Sequence, residues 1–183
     1  KFLKSQGKLN GNTVVTTVMS NMGLYKAFEA EGINYEQTAV GDKYVAENML
    51  ENNYSIGGEQ SGHVIFSRYA ATGDGILTSL MIMEACVEQK ATLCDLAKEM
   101  KVYPQILRNV RVADKKTARE NPKVVEAVEA AARALSTDGR ILVRESGTEP
   151  LIRVMVEAGT EEICAEHVNN VVRVMEEEGL VVE

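Results

Sequence analysis

The sequence predicts an α/β layer domain with a mostly parallel sheet, followed by a smaller α+β domain whose helices cover an antiparallel sheet. Three observations support this. Short apolar or β-branched runs alternate with helical patterns over the first part of the chain, as strand–helix units do. Beyond Tyr103-Pro104 the rhythm changes to a helix, two closely spaced apolar runs and a second helix. Finally, 45% of the 183 residues are apolar, enough for a core.

Each element has its own signal. Residues 12–17 are short and β-branched, a buried strand. Ser20 or Asn21 can cap a helix reaching about Glu31, which Gly32 ends. Residues 33–40 read as a second strand, and Asp42 as the cap of a helix to about Asn52, with Tyr44, Val45 and Met49 near helical spacing. Residues 55–58 and 64–66 are short strands around a glycine-rich turn. A helix follows over residues 74–89, in which 76–87 reads as largely buried, then a short one over residues 93–100. Proline disfavours helix in the residue before it, so residues 103–109 read as a linker. Then come a strand (110–112), a helix (122–135) with Pro122 at its start and Val124, Val125, Val128 and Ala132 on one face, strands (141–144 and 151–157) and a helix (161–178).

Composition excludes several function classes. The net charge is −7 with no basic stripe, which argues against nucleic acid as a partner and means any anion site must win locally. No apolar run approaches the roughly 18 residues of a membrane helix, and no N-terminal targeting pattern is visible. Cys86, Cys94 and Cys164 are odd in number and lack metal-ligand spacing, so a free-thiol protein of the reducing cytoplasm is expected. With only His63 and His167, a histidine-rich metal site is ruled out, and no metal ligands are expected in this chain. The chain starts with Lys1, inside what reads as the end of a helix, so a fragment or processed chain is expected.

Two stretches carry chemistry. Arg144-Glu145-Ser146-Gly147-Thr148-Glu149-Pro150 places a guanidinium, two hydroxyls and a glycine between apolar runs. The planar Arg fork matches phosphate oxygens, Ser146 and Thr148 add donors, and Gly147 would permit a positive φ that lets successive N–H groups converge on an anion. The alternative is a hairpin turn with a surface arginine. Gly57-Gly58-Glu59-Gln60-Ser61-Gly62-His63 is the second stretch. If extended, Glu59 and Ser61 would share a face, offering acceptors to vicinal sugar hydroxyls; the alternative is a structural turn. Neither a dinucleotide fingerprint nor a Walker loop is present. His63 is a candidate general acid or base, or a satisfied histidine at a strand start. Gly41-Asp42-Lys43 opens a helix, with Asp42 as a plain cap by default and Lys43 a weaker ligand candidate. Gly73-Asp74-Gly75 reads as a turn and cap, and His167 as structural.

In this order, Gly58-Glu59-Gln60-Ser61-Gly62-His63 resembles the sugar-binding loop in the third domain of the α-D-phosphohexomutase superfamily. Arg144-Glu145-Ser146-Gly147-Thr148-Glu149-Pro150 resembles the phosphate-binding loop in its fourth. Thr13-Val14-Val15-Thr16-Thr17-Val18-Met19-Ser20-Asn21, Ala39-Val40-Gly41-Asp42-Lys43-Tyr44-Val45 and Leu151-Ile152-Arg153-Val154-Met155-Val156-Glu157 are similar to its bacterial branch acting on glucosamine phosphates. The resemblance spans essentially the whole chain. It implies a three-layer α/β/α sugar-binding domain over residues 1–102, truncated at its N-terminus, a linker at 103–109, and a phosphate-binding domain over 110–183 with helices packed on an antiparallel sheet.

The implied reaction interconverts glucosamine 6-phosphate and glucosamine 1-phosphate, on the route to UDP-N-acetylglucosamine and peptidoglycan. It passes through a phosphoserine and a bisphosphate intermediate, with Mg²⁺ as Lewis acid. By the same resemblance, Glu59 and Ser61 hold sugar hydroxyls. Arg144, Ser146, Gly147 and Thr148 hold the non-reacting phosphate, with Arg153 a further cation. Glu145 and Glu149 would repel phosphate, so they are expected to point away or orient an arginine. No Thr-Ala-Ser-His-Asn-Pro-like nucleophile segment and no Asp-Gly-Asp-x-Asp-Arg-like metal loop occur in the chain. It is therefore expected to bind sugar phosphate without turnover, and to need the N-terminal domains of the same protein. A homodimer is left open. The competing readings are a phosphomannomutase/phosphoglucomutase fragment and a noncatalytic sugar-phosphate-binding protein.

Overall fold

Every residue of Thr13–Thr17 (β1) is β-branched, and this strand forms the centre of the first sheet. The computed structural model describes residues 1–182 and divides the chain into two units, Lys1–Val102 and Tyr103–Glu183. In the first unit β1 pairs in parallel with Asn34–Thr38 (β2) on one side and with Ile56–Gly58 (β3) on the other; β3 runs antiparallel to Val64–Phe66 (β4). The helices are Phe2–Ser5 (α1), Met22–Ala30 (α2), Asp42–Asn52 (α3), Gly75–Gln89 (α4) and Leu93–Ala97 (α5). Strand alternation sends Val15 and Ile65 to one face, where they meet Val45 and Met49 of α3. Val14, Ile56 and Phe66 point to the opposite face, where they share a cavity lining with Phe28 of α2, Ile82 of α4 and Leu93 of α5. The result is a helix–sheet–helix sandwich, as expected.

Capping chemistry sets the helix boundaries. Asn21 accepts from the Gly23 N–H, Asp74 from those of Ile76 and Leu77, and Thr92 forms a capping box with Asp95. Two expectations for this unit are corrected. Asp42 is the first residue of α3 and makes no cap; Gly41 holds the cap position. Helix α4 is not largely buried: Ala85 is its one buried residue, and Ile76, Leu80, Met83 and Val87 are exposed, because only one line of the helix meets the sheet.

The second unit places Gln105–Arg111 (β5), Lys115–Glu120 (α6), Pro122–Leu135 (α7), Arg140–Glu145 (β6), Leu151–Glu157 (β7) and Glu161–Glu177 (α8) in an antiparallel sheet of order β5-β7-β6 with helices on one face. Val110, Ile152, Val154 and Val156 face Val124 and Leu135 of α7 and Cys164, Val168, Val171 and Met175 of α8. The opposite face carries rows set by register, among them Asn109–Arg153–Arg144 and Gln105–Glu157–Arg140. Glu157 is fully buried, with Arg140 Nε 2.6 Å and Gln105 Nε2 2.8 Å from its carboxylate oxygens. Residues 105–109, expected as linker, are the first part of β5 and pair with residues 157–153 of β7. Their polar side chains belong to an edge strand, which satisfies its backbone on one side only. Helix α6, capped by Asp114, was not expected; its polar sequence hides the single buried residue, Ala118.

Candidate functional site

The candidate residues fall into two groups, one in each unit. In the first, Gly58 and Val64 close the β3–β4 ladder. The Glu59 N–H donates to the His63 carbonyl at 3.0 Å and the Gly62 N–H to the Glu59 carbonyl at 3.0 Å. Residues 59–62 are thus a tight turn with Gly62 at φ 94°, not the extended run that would set Glu59 and Ser61 on one face. The Glu59 carboxylate turns toward α3, where Oε1 accepts from the Gly41 N–H at 2.9 Å. Ser61 stands exposed at the tip. His63 Nε2 accepts from the Gly73 N–H at 3.1 Å and lies 3.5 Å from Asp42 Oδ2. One nitrogen cannot accept and donate at once, so Nε2 serves either the Gly73 N–H or, when it carries a proton, the Asp42 carboxylate. Lys43 lies 3.7 Å from Glu47, one turn along α3.

Gly57 and, further along, Gly73 answer close contacts, whereas Gly62 serves the turn through its positive φ. A Cβ on Gly57 would lie 2.6 Å from Met49 Sδ and 2.8 Å from Val45 Cγ1, so glycine is what lets α3 settle on the sheet. A Cβ on Gly73 would sit 2.4 Å from His63 Nε2.

In the second unit, Arg144 on β6 and Arg153 on β7 are direct partners in the antiparallel register. Like charges facing each other across a ladder destabilise it. Both guanidinium Nε atoms are buried without a hydrogen-bond partner. Burial, and then the charge of Arg153, pulls the Arg144 pKa below the ordinary guanidinium value. Ser146 follows β6 and is 1% exposed. Its Oγ accepts from the Glu149 N–H at 3.3 Å and from Arg153 Nη2 at 3.4 Å, which occupies both lone pairs and leaves the hydroxyl proton to donate. Gly147 and Thr148 are exposed. Gly147 does not adopt the positive φ expected of it, and a Cβ there would meet nothing within 4 Å.

The two glutamates each engage an arginine: Glu149 Oε2 lies 3.2 Å from Arg153 Nη2, and Glu145 Oε1 lies 3.2 Å from Arg119 Nη1 of α6. Helix α6 also sends Lys115 Nζ to the Ser146 carbonyl at 2.8 Å. Sequence reasoning missed Lys115 and Arg119. The only available signal was two basic residues four apart behind a capping Asp, a pattern common on solvated helices.

An α/β/α sandwich followed by an α+β unit with helices on one face of an antiparallel sheet is the fold class of this chain. The family description "Phosphoglucomutase/phosphomannomutase, alpha/beta/alpha domain III" matches residues 1–103, and "Phosphoglucomutase/phosphomannomutase, C-terminal domain" matches residues 107–174. The chain belongs to the phosphoglucomutase/phosphomannomutase family. It is 60% identical to the phosphoglucosamine mutase of Lachnospira eligens over 99% of the chain, and 53% identical to that of Bacillus subtilis over 97%. The chain spans 40% of the length of each of these relatives. A crystal structure of Aspergillus fumigatus N-acetylphosphoglucosamine mutase in complex with GlcNAc-6P and magnesium shares the fold, with a TM-score of 0.78 at 18% identity, covering 97% of this chain and 41% of that one. Among the described residues no group of three or more His, Cys, Asp or Glu side chains gathers in one place.

Proposed function

We propose that this chain supplies the sugar- and phosphate-binding elements of a phosphoglucosamine mutase, which interconverts glucosamine 6-phosphate and glucosamine 1-phosphate through a phosphoserine and a bisphosphate intermediate. The observation that carries this is the Arg144–Arg153 pair, with two buried partnerless Nε atoms in direct register. A phosphate dianion relieves the repulsion and accepts those donors, and the Ser146 proton adds a third contact. Gly147, Thr148 and their backbone complete the grip. Anchoring the phosphate that does not react positions the one that does. In the first unit Glu59 and Ser61 hold sugar hydroxyls; since Glu59 Oε1 is taken by Gly41, its second oxygen is the one open to a ligand. His63 is placed to exchange a proton or a hydrogen bond near that end of the sugar.

The nucleophile and the Mg²⁺ ligands belong to other parts of the protein, so these 183 residues bind without turnover in the cytoplasm. Relatives at 60% and 53% identity favour glucosamine phosphate over glucose or mannose phosphate as substrate. The test is an NMR titration of the chain with glucosamine 6-phosphate. Saturable binding on the order of millimolar, lost in Arg144→Ala, is expected. Wild-type resonances that stay still at saturating ligand, or an Arg144→Ala chain that binds as well, would overturn the assignment. Competition by glucose 6-phosphate or mannose 6-phosphate at equal strength would move the substrate to the sister activity.

A further inference from the structure

The anion loop is held by a helix on the side of the sheet away from the arginine row. Helix α6 sits on the helix-covered side of the second sheet: Ala118 is fully buried in the core that α7 and α8 share with Ile152 and Val154. From that side Lys115 Nζ donates to the Ser146 carbonyl at 2.8 Å, and Arg119 pairs with Glu145 one residue earlier. Arg144 and Arg153 project from the opposite face, one residue out of phase with Val143 and Val154 in the strand alternation.

The Ser146 carbonyl and the Gly147 N–H belong to one planar trans peptide, so they point in opposite directions. A carbonyl fixed toward α6 fixes the next N–H away from α6. We propose that Lys115 is a positioning residue for anion binding: by holding the Ser146 carbonyl it turns the Gly147 N–H toward the face of the sheet that carries Arg144 and Arg153. Gly147 is exposed and a Cβ there would meet nothing within 4 Å, so the space beside its N–H is open to an anion. Without the ammonium the carbonyl is free to rotate, and its own negative end can turn toward an incoming phosphate. The role rests on the phosphate reading of the loop, and its failure is separable from the failure of that reading.

The experiment is a titration of the ¹⁵N-labelled 183-residue chain with inorganic phosphate, in wild type, Lys115→Met, Lys115→Arg, Lys116→Met and Arg144→Ala. In wild type the Gly147 amide proton moves downfield and saturates. Lys115→Met loses that shift and binds phosphate roughly three- to tenfold more weakly, the range for one ordinary lost hydrogen bond. Lys115→Arg restores both, and Lys116→Met, which removes an equal charge one residue along, changes neither. A Gly147 shift that persists in Lys115→Met overturns the proposal even if affinity falls, because the lysine then acts on phosphate directly or through bulk charge. Unchanged affinity in Lys115→Met, with Arg144→Ala inactive in binding, overturns the proposal and leaves the phosphate reading standing. No phosphate binding in wild type overturns both. Lys115→Gln repeats the test should Lys115→Met lose native amide dispersion.

Discussion

The turn around Glu59 and the loop around Ser146 both join two short strands through glycine and polar residues, yet they settle their polar groups in opposite ways. In the first, the carboxylate already holds a backbone N–H, the imidazole already accepts one, and two main-chain hydrogen bonds close the turn. At Gly57 and Gly58 neighbouring atoms come within 2.6 and 2.8 Å of where a Cβ would be. In the second, two arginines face each other with buried Nε atoms left open, and the glycine meets empty space. Packing defines the first loop before any ligand arrives. The second leaves two buried donors open. Recognition of neutral hydroxyls tolerates a rigid, self-satisfied scaffold, whereas a dianion needs donors that nothing else in the protein has taken.

The contrast can be broken most forcefully at Gly57. Gly57→Ala drives a methyl against Met49 and Val45, and a loss of about 1–3 kcal/mol in urea denaturation is expected from overpacking. An unchanged midpoint would show that α3 yields freely and that the first loop is not packing-defined. A smaller effect of opposite sign is expected in the second loop. Arg144→Met keeps the aliphatic stem and removes the like charge, so the ligand-free chain gains up to about 1 kcal/mol while phosphate binding falls. Loss of stability in that variant would mean the arginine pair is a structural contact. The smallest effect concerns Asp114, whose carboxyl the Thr117 contacts hold below the ordinary aspartate value of 3.8. A depressed folded-state pKa gives stability that is present above the unfolded value and lost as pH falls through the folded one. Acidification below pH 3.8 should therefore loosen α6 before the rest of the second unit, seen as early shifts of the 115–120 amides. Simultaneous loss of α6 and α8 amides would count against it.

Much of this was legible in the sequence because the signals are local. Asn21 and Asp74 cap the helices they precede, and the β-branched run of β1 falls where it was expected. The two glycine-bearing loops announced themselves by residue type. What escaped was set by distant partners. Asp42 forgoes capping and stands near His63, which depends on how β3 and α3 pack. Residues 105–109 look like a linker until β7 supplies their pairing partners. The arginine row arises from register between β6 and β7, and the hold of α6 on Ser146 from tertiary placement of a short polar helix; neither leaves a mark on sequence spacing.

The pairing of β6 with β7 also limits how this hairpin can change over evolutionary time. Side chains alternate with a period of two, so a slip of a single residue would swing Arg153 into the greasy side of the sheet and push Ile152 into water. Insertions and deletions must therefore be absorbed entirely within residues 146–150, or come in pairs. A search for variant specificities on this scaffold should therefore keep both strands at fixed length and confine changes of length to residues 146–150.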